Sequence, residues 1–197
     1  MRVDGTACGL AIEGSGWVAE PDVVVTNAHV VAGETDTTVE VGGQPPSLPA
    51  EPIAFEPQHD IAVLFVPELD LPTLSVAPST PSGTSGAILG YPENGPFDVQ
   101  PARIGRTQDV VTQNAYGQGP VTRLLMPLRG LVRPGNSGGP LVEDNGRVLT
   151  TVFAATVDSK VRGGYGVANE TVAAVLREAN ARERERSQVS TGPCTSG

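Results

Sequence analysis

The chain has 197 residues, 39% of them hydrophobic, with 13 basic against 22 acidic residues and a formal net charge of −9. A chain of that length buries roughly 70% of its unfolded surface, enough for one large domain or two small ones. The acidic balance repels phosphate backbones and argues against a nucleic-acid partner; no apolar run reaches the length of a membrane span, and the N-terminus lacks a signal-peptide profile.

Taken in order, the segments predict an all-β protein, because many short Val/Ile/Thr-rich runs are bounded by Gly, Pro and Asn. Residues 7–31 read as two strands turning at Gly14-Ser15-Gly16, and Thr37 to Val41 alternates as a half-exposed strand does. Pro45 to Pro52 is a proline-rich loop, followed by strands at Ile53 to Phe55 and Asp60 to Val66. A Pro/Ser/Thr-rich stretch then leads through residues 76–84, read as the crossing between two barrels. Ala87 to Tyr91 opens the second barrel, and Pro92 to Pro101 is a polar loop. Val121 to Leu128, Val148 to Val157 and Tyr165 to Ala168 are strands. Asn169 is placed to cap one helix, on which Val172, Val175, Leu176 and Ala179 share an apolar face. Arg182 to Arg186 alternates charge and reads as a solvated face. The expected organisation is a first barrel over 1–75, the crossing at 76–84, a second barrel over 85–169, and a helix and tail over 170–197.

The chemistry concentrates in Arg133-Pro134-Gly135-Asn136-Ser137-Gly138-Gly139-Pro140-Leu141. A serine among glycines lets the backbone turn sharply and present its amides to a bound carbonyl. A serine hydroxyl needs a base, and Thr26-Asn27-Ala28-His29-Val30-Val31 supplies one after the apolar run Val23 to Val25. His59-Asp60-Ile61-Ala62-Val63-Leu64 supplies an acid at the start of another strand; Asp36 and Asp70 are the competing carboxylates. Gly135-x-Ser137-x-Gly139 also fits the α/β-hydrolase elbow, but that fold needs its histidine after the serine, and both histidines precede Ser137. A subtilisin order is formally available from Asp22 or Asp36, yet the middle of the chain shows almost no helical periodicity. The order His29, Asp60, Ser137 remains. His59 reads as a surface neighbour of Asp60. Cys8 and Cys194 do not have metal-ligand spacing; they are two free thiols or one long-range disulfide.

These blocks resemble the three catalytic blocks of trypsin-like serine proteases of the HtrA branch. With Cys8-Gly9-Leu10, Leu89-Gly90-Tyr91-Pro92, Pro101 to Gly105 and Thr191 to Cys194, the chain is most similar to the periplasmic domain of MarP-type membrane-anchored proteases of actinobacteria. The resemblance implies two chymotrypsin-like six-stranded antiparallel β-barrels and a C-terminal α-helix. It implies a serine endopeptidase in which Ser137 attacks, His29 is the base and Asp60 orients it, with the Gly135 and Ser137 amides as oxyanion hole. It implies a Cys8–Cys194 disulfide and an oxidising compartment. By the same resemblance Leu131 forms the floor of the specificity pocket. Thr151, Val152, Phe153 and Ala154 read as the edge strand that a substrate backbone joins.

The expected setting is the periplasm or cell envelope, as the soluble domain of a membrane-anchored protein linked to acid and oxidative stress tolerance. Contact with a membrane would run only through a segment outside this sequence. The expected partners are peptides or proteins, the expected state a monomer, and no metal or organic cofactor is implied. Asn136 replaces the aspartate of digestive proteases, so no activation ion pair to a new N-terminus is expected; the Cys8–Cys194 bridge is a candidate for ordering the loop instead. A catalytically silent peptide-binding scaffold is the alternative from another class.

Overall fold

The computed structural model describes residues 1–156, 162–185 and 188–194, without the side chains of 182–185. Val157, expected to end a strand, and the side chains of Arg182 to Arg186 lie outside the described residues.

The first half runs β1 (Arg2–Ala7), β2 (Leu10–Ser15), β3 (Trp17–Glu20), β4 (Val23–Thr26), the single-turn helix α1 (Ala28–Val31), β5 (Thr38–Glu40), β6 (Ser47–Pro49), β7 (Glu51–Glu56) and β8 (Ile61–Phe65). Its hydrogen bonds form two four-stranded antiparallel sheets, β2-β1-β5-β6 and β3-β4-β8-β7. Val3 and Val39 from one sheet pack against Val24, Ala62 and Leu64 from the other, so one core fills the space between them. Gly14-Ser15-Gly16 is a corner and not a turn: the chain passes there from one sheet to the other. A Cβ on Gly16 would stand 2.9 Å from a Val24 methyl, so only glycine fits that corner. The tight turns fall on either side, where Cys8, Gly9 and Asp22 take positive φ. The proline-rich loop expected at 45–52 contains β6 and the start of β7. Both are outer strands, where a proline without an N–H is tolerated.

The second half comprises β9 (Ser85–Gly90), β10 (Asp98–Ile104), β11 (Gln108–Thr112), β12 (Val121–Gly130), β13 (Pro140–Val142), β14 (Val148–Ala155) and β15 (Gly163–Val167). The order is β10-β9-β13-β14-β15-β12-β11, and β10 also pairs with β12. That second pairing closes six strands into a barrel and leaves β11 attached outside it. Ile88, Ile104, Met126, Leu128, Leu141, Leu149 and Val152 fill its interior. The expected polar loop at 92–101 ends early, because Asp98 to Pro101 already pair with β9. The all-β class with one substantial helix agrees with the sequence; in the first half the hydrogen bonds run in two facing four-stranded sheets joined at the Gly14–Gly16 corner.

The crossing is stitched to both halves: Leu74 N–H donates to Val18 O at 2.8 Å, and Ala77 N–H to Val148 O at 2.9 Å. Helix α2 (Asn169–Glu185) turns Val172, Val175, Leu176 and Ala179 onto Trp17, Val23, Ile53 and Ile61 of the first half. Burying each larger side chain stabilises this dock by about 1.5–3 kcal/mol. The Asn169 side chain does not cap the helix; its amide donates to Val148 O at 2.9 Å and ties the helix start to β14. The tail returns to the first half, where Gly33 N–H donates to Thr191 O at 3.1 Å. A disulfide joins Cys8 and Cys194, with Cα atoms 5.5 Å apart across 186 residues of sequence.

Candidate active site

The first half contributes a pair held by side-chain charge. Pairing of β4 with β8 sets Thr26 opposite Ala62, which brings the residues following β4 beside those preceding β8. His29 lies on α1, and Asp60 sits in the left-handed region at φ 62 just before β8. An aspartate tolerates that conformation better than most residues, at about 1–3 kcal/mol that its bonds offset. Asp60 is wholly buried. Its Oδ1 accepts the His29 backbone N–H at 2.8 Å, and its Oδ2 meets His29 Nδ1 at 2.7 Å. Asn27 Nδ2 fixes the turn by donating to Asp60 O at 2.8 Å. Burial disfavours the imidazolium, but the charge and hydrogen bond of Asp60 outweigh it and raise His29 above its ordinary value, against a lesser opposing push from Arg123. With Nδ1–H engaged by the carboxylate, Nε2 is the nitrogen left to accept a proton.

The second half contributes a serine held by backbone. Gly135 and Gly138 take φ +87 and +82, and a Cβ on Gly138 would fall 2.3 Å from Thr26 Oγ1, so this turn requires glycine. Gly138 N–H donates to Val152 O at 2.9 Å and Gly139 N–H to Asn136 O at 3.0 Å. Asn136 is buried, and its Oδ1 accepts Arg133 N–H at 2.9 Å. The loop is then fastened across the molecule by Ser15, at the corner between β2 and β3. Ser15 N–H donates to Ser137 O at 2.8 Å. Its hydroxyl donates to Gly135 O at 2.7 Å while accepting Tyr91 N–H at 3.0 Å. The disulfide lies elsewhere, beside Gly33, so the bonds ordering the serine loop come from Ser15, Asn136 and Val152. Among the described residues, the Gly135 and Ser137 amides have no hydrogen-bond acceptor. That leaves two donors for an anionic oxygen.

His29, Asp60 and Ser137 line one cleft of about 400 Å³ with Phe153, Ala154, Arg133 and the segment Thr112 to Ala115. The Ser137 hydroxyl donates to Phe153 O at 3.2 Å, and among the described residues no hydrogen bond joins it to His29. The Phe153 ring meets the imidazole edge-on at 6.1 Å. Of the residues expected to bind substrate, Phe153 and Ala154 line this cleft. Thr151 and Val152 are not on an edge strand: β14 is paired on both sides, by β13 and β15, and both residues are fully buried behind the cleft, with Thr151 Oγ1 accepting Trp17 Nε1–H at 3.1 Å. Leu131 is half-buried and does not line it. Arg133, in ion-pair contact with Asp98, and the β11 end were not anticipated; the first lay inside the quoted motif, the second carried no motif at all. The His59 side chain is 49% exposed, at the surface as expected, and lies 3.7 Å from Glu56, a partner that was not anticipated. Among the described residues, no group of three His, Cys, Asp or Glu is arranged to hold a metal.

Comparison with known proteins gives a consistent picture. A family model described as a trypsin-like peptidase domain matches residues 14–149. The serine protease Rv3671c of Mycobacterium tuberculosis is 40% identical over 191 residues, which cover 96% of this chain and 46% of that protein. The chain thus spans about half the length of this curated relative. A probable periplasmic DegP-like serine endoprotease of Chlamydia pneumoniae is 30% identical over 160 residues, 79% of this chain and 30% of that one. The crystal structure of the M. tuberculosis Rv3671c protease in its active form superposes with a TM-score of 0.89 at 37% identity, covering 99% of this chain and 85% of that one.

Proposed function

The chain belongs to the trypsin-like peptidase family, and from that premise we propose that it is a serine endopeptidase working through Ser137, His29 and Asp60. The observation that carries this reading is the bond from Asp60 to His29 Nδ1 at 2.7 Å inside the cleft that Ser137 lines. Asp60 holds one tautomer of the imidazole and favours its charged form; Nε2 takes the Ser137 proton and returns it to the leaving amine. The Gly135 and Ser137 amides receive the oxyanion, a contribution of about 3–4 kcal/mol per donor in such sites. Phe153 O is the acceptor a substrate amide would claim on joining β14, and its arrival would release the Ser137 hydroxyl toward the base.

Among the described lining residues the only carboxylate is Asp60, already covered by His29, and Arg133 adds a cation. A basic side chain finds no counter-ion there, so the proposed preference before the scissile bond is apolar or small. We place the activity in the periplasm or envelope, as part of a longer membrane-anchored protein serving tolerance of acid and oxidative stress. The relative named as periplasmic supports the compartment. No helix of the described residues is long and apolar enough to cross a membrane. A non-hydrolysing peptide-binding scaffold has one observation in its favour, the Ser137 hydroxyl bonded to Phe153 O and not to the imidazole.

A fluorophosphonate probe separates the two readings. Wild type is expected to label and Ser137→Ala not to. A protein-substrate digest by wild type is expected to yield cuts after apolar or small residues. Absence of labelling at neutral pH, or cuts predominantly after Lys and Arg, would overturn the mechanism or the specificity respectively.

A further inference from the structure

Arg123 lies on β12 just before the apolar run Leu124 to Leu128 and is 2% exposed. Its Nε–H donates to Gln58 O at 2.7 Å, its Nη1 lies 3.9 Å from Asp60 Oδ2, and its guanidinium carbon stands 4.8 Å from the centre of the Phe153 ring. Among the described residues, neither Nη1 nor Nη2 has a hydrogen-bond partner. A buried cation with two unsatisfied nitrogens costs stability, and leucine or methionine would serve a strand interior better. What it touches gives the reason for its presence. Gln58 and Asp60 belong to the first half, Arg123 and Phe153 to the second. Phe153 O holds the Ser137 hydroxyl, and the Phe153 ring meets His29. Arg123 thus reaches both halves of the site without lining the cleft.

We propose that Arg123 is a positioning residue for this site: it fastens the Asp60 loop to the serine-bearing half and sets a fixed positive charge behind the His29–Asp60 pair. The inference deepens the peptidase reading and rests on it. The charged groups around His29 are few. Asp60 comes from the β7–β8 turn and Arg123 from β12. Arg133, on the serine loop, is in ion-pair contact with Asp98. His59 is turned toward Glu56, and β14 offers only the uncharged Phe153 ring. A cation at this place opposes protonation of the imidazole, the direction in which Arg123 acts on His29. The base therefore stays unprotonated to lower pH than the pair with Asp60 alone would allow.

The test reads His29 directly. In a Ser137→Ala background the imidazole is titrated by NMR, with His59→Gln assigning the second histidine. Arg123→Met is expected to raise the His29 midpoint by about one pH unit, while Arg123→Lys, which keeps the charge, holds it near the parent value. In the Ser137 protein the acidic limb of kcat/KM follows the same shift, and Arg123→Lys lowers kcat because its single ammonium cannot bridge Gln58 and Asp60 as a fork does. An unchanged midpoint in Arg123→Met overturns the proposal. Should that variant not fold, Arg123→Gln takes its place with the same readings. The midpoint is measured without turnover, so failure of the peptidase reading leaves this result distinguishable.

Discussion

Among the described residues three carboxylates are buried in the first half, Glu34, Glu40 and Asp60, and two of them, Asp60 and Glu34, keep opposite company. Asp60 is wholly buried, takes two hydrogen bonds from His29, and has the Arg123 cation 3.9 Å away. Glu34 is 5% exposed, under the returning tail. Its Oε2 accepts Thr37 Oγ1–H at 2.7 Å, and among the described residues its Oε1 has no hydrogen-bond partner. Glu34 is pushed up to about 7 in all, chiefly by burial, with the Thr37 hydroxyl opposing the rise and nearby Asp36 and Asp4 adding to it. Burial alone therefore does not make a useful acid. A carboxylate that orients an imidazole differs from one that merely takes up a proton by the cations set around it.

The sharpest way to break this comparison is Asp60→Asn. An amide cannot enforce the right tautomer, so kcat is expected to fall about 10⁴-fold with the fold intact. A variant retaining near-parental kcat would show that Asp60 is no more functional than Glu34. The next effect is on stability. Glu34 holds its proton up to about 7 when folded, against 4.5 when unfolded. Its contribution is therefore fully present below 4.5 and is lost as pH rises through 7. At 1.36 kcal/mol per unit this difference is about 3 kcal/mol. Denaturant unfolding at acid, neutral and alkaline pH checks it: Glu34→Gln is expected to flatten the decline while leaving kcat/KM unchanged. An equally steep decline in the variant would assign the slope elsewhere. Ser15→Ala is the smallest effect. Losing the hydroxyl between Tyr91 and Gly135 costs about 1 kcal/mol, seen as roughly a fivefold drop in kcat. Because that clamp carries no charge, the pH profile keeps its shape; a shifted profile would mean that the serine loop is coupled to the charged pair.

The sequence made some of this legible and hid the rest for physical reasons. Asp60 stands out from Asp36 and Asp70 because it alone opens the Asp60-Ile61-Ala62-Val63-Leu64 block of the resembling family, and pairing of that run with β4 is what delivers it to His29. Ser137 announced itself through glycines whose φ and close contacts no other residue satisfies. Arg123 gave no local signal, since an arginine within Thr122-Arg123-Leu124-Leu125 looks like any outward strand position until long-range packing buries it. Glu34 lay in a polar stretch; its carboxylate packs against Gly5 of β1 and its carbonyl accepts Thr191 Oγ1–H from 157 positions away, contacts the local sequence does not announce. Ser15 read as a turn residue because the corner between two sheets and a hairpin use the same small residues. Strand β1 and the strands in the proline-rich stretch were missed because edge and half-polar strands lack the alternation that marks a core strand.

The closed ring of the second half has a consequence for how the protein fares when crowded or refolding. A ladder that returns on itself offers neighbours no template for extension, apart from the short outer strand Gln108–Thr112, which carries Asp109. The first half has four outer strands, β2, β6, β3 and β7, of which β3 already takes Leu74 N–H at Val18 O and β7 takes Val189 N–H at Pro52 O. Each bears a guard against intermolecular stacking: Glu13, Pro49, Glu20, and Pro52 with Glu51. The prolines that obscured those strands in the sequence are thus what keeps one copy from growing onto the next.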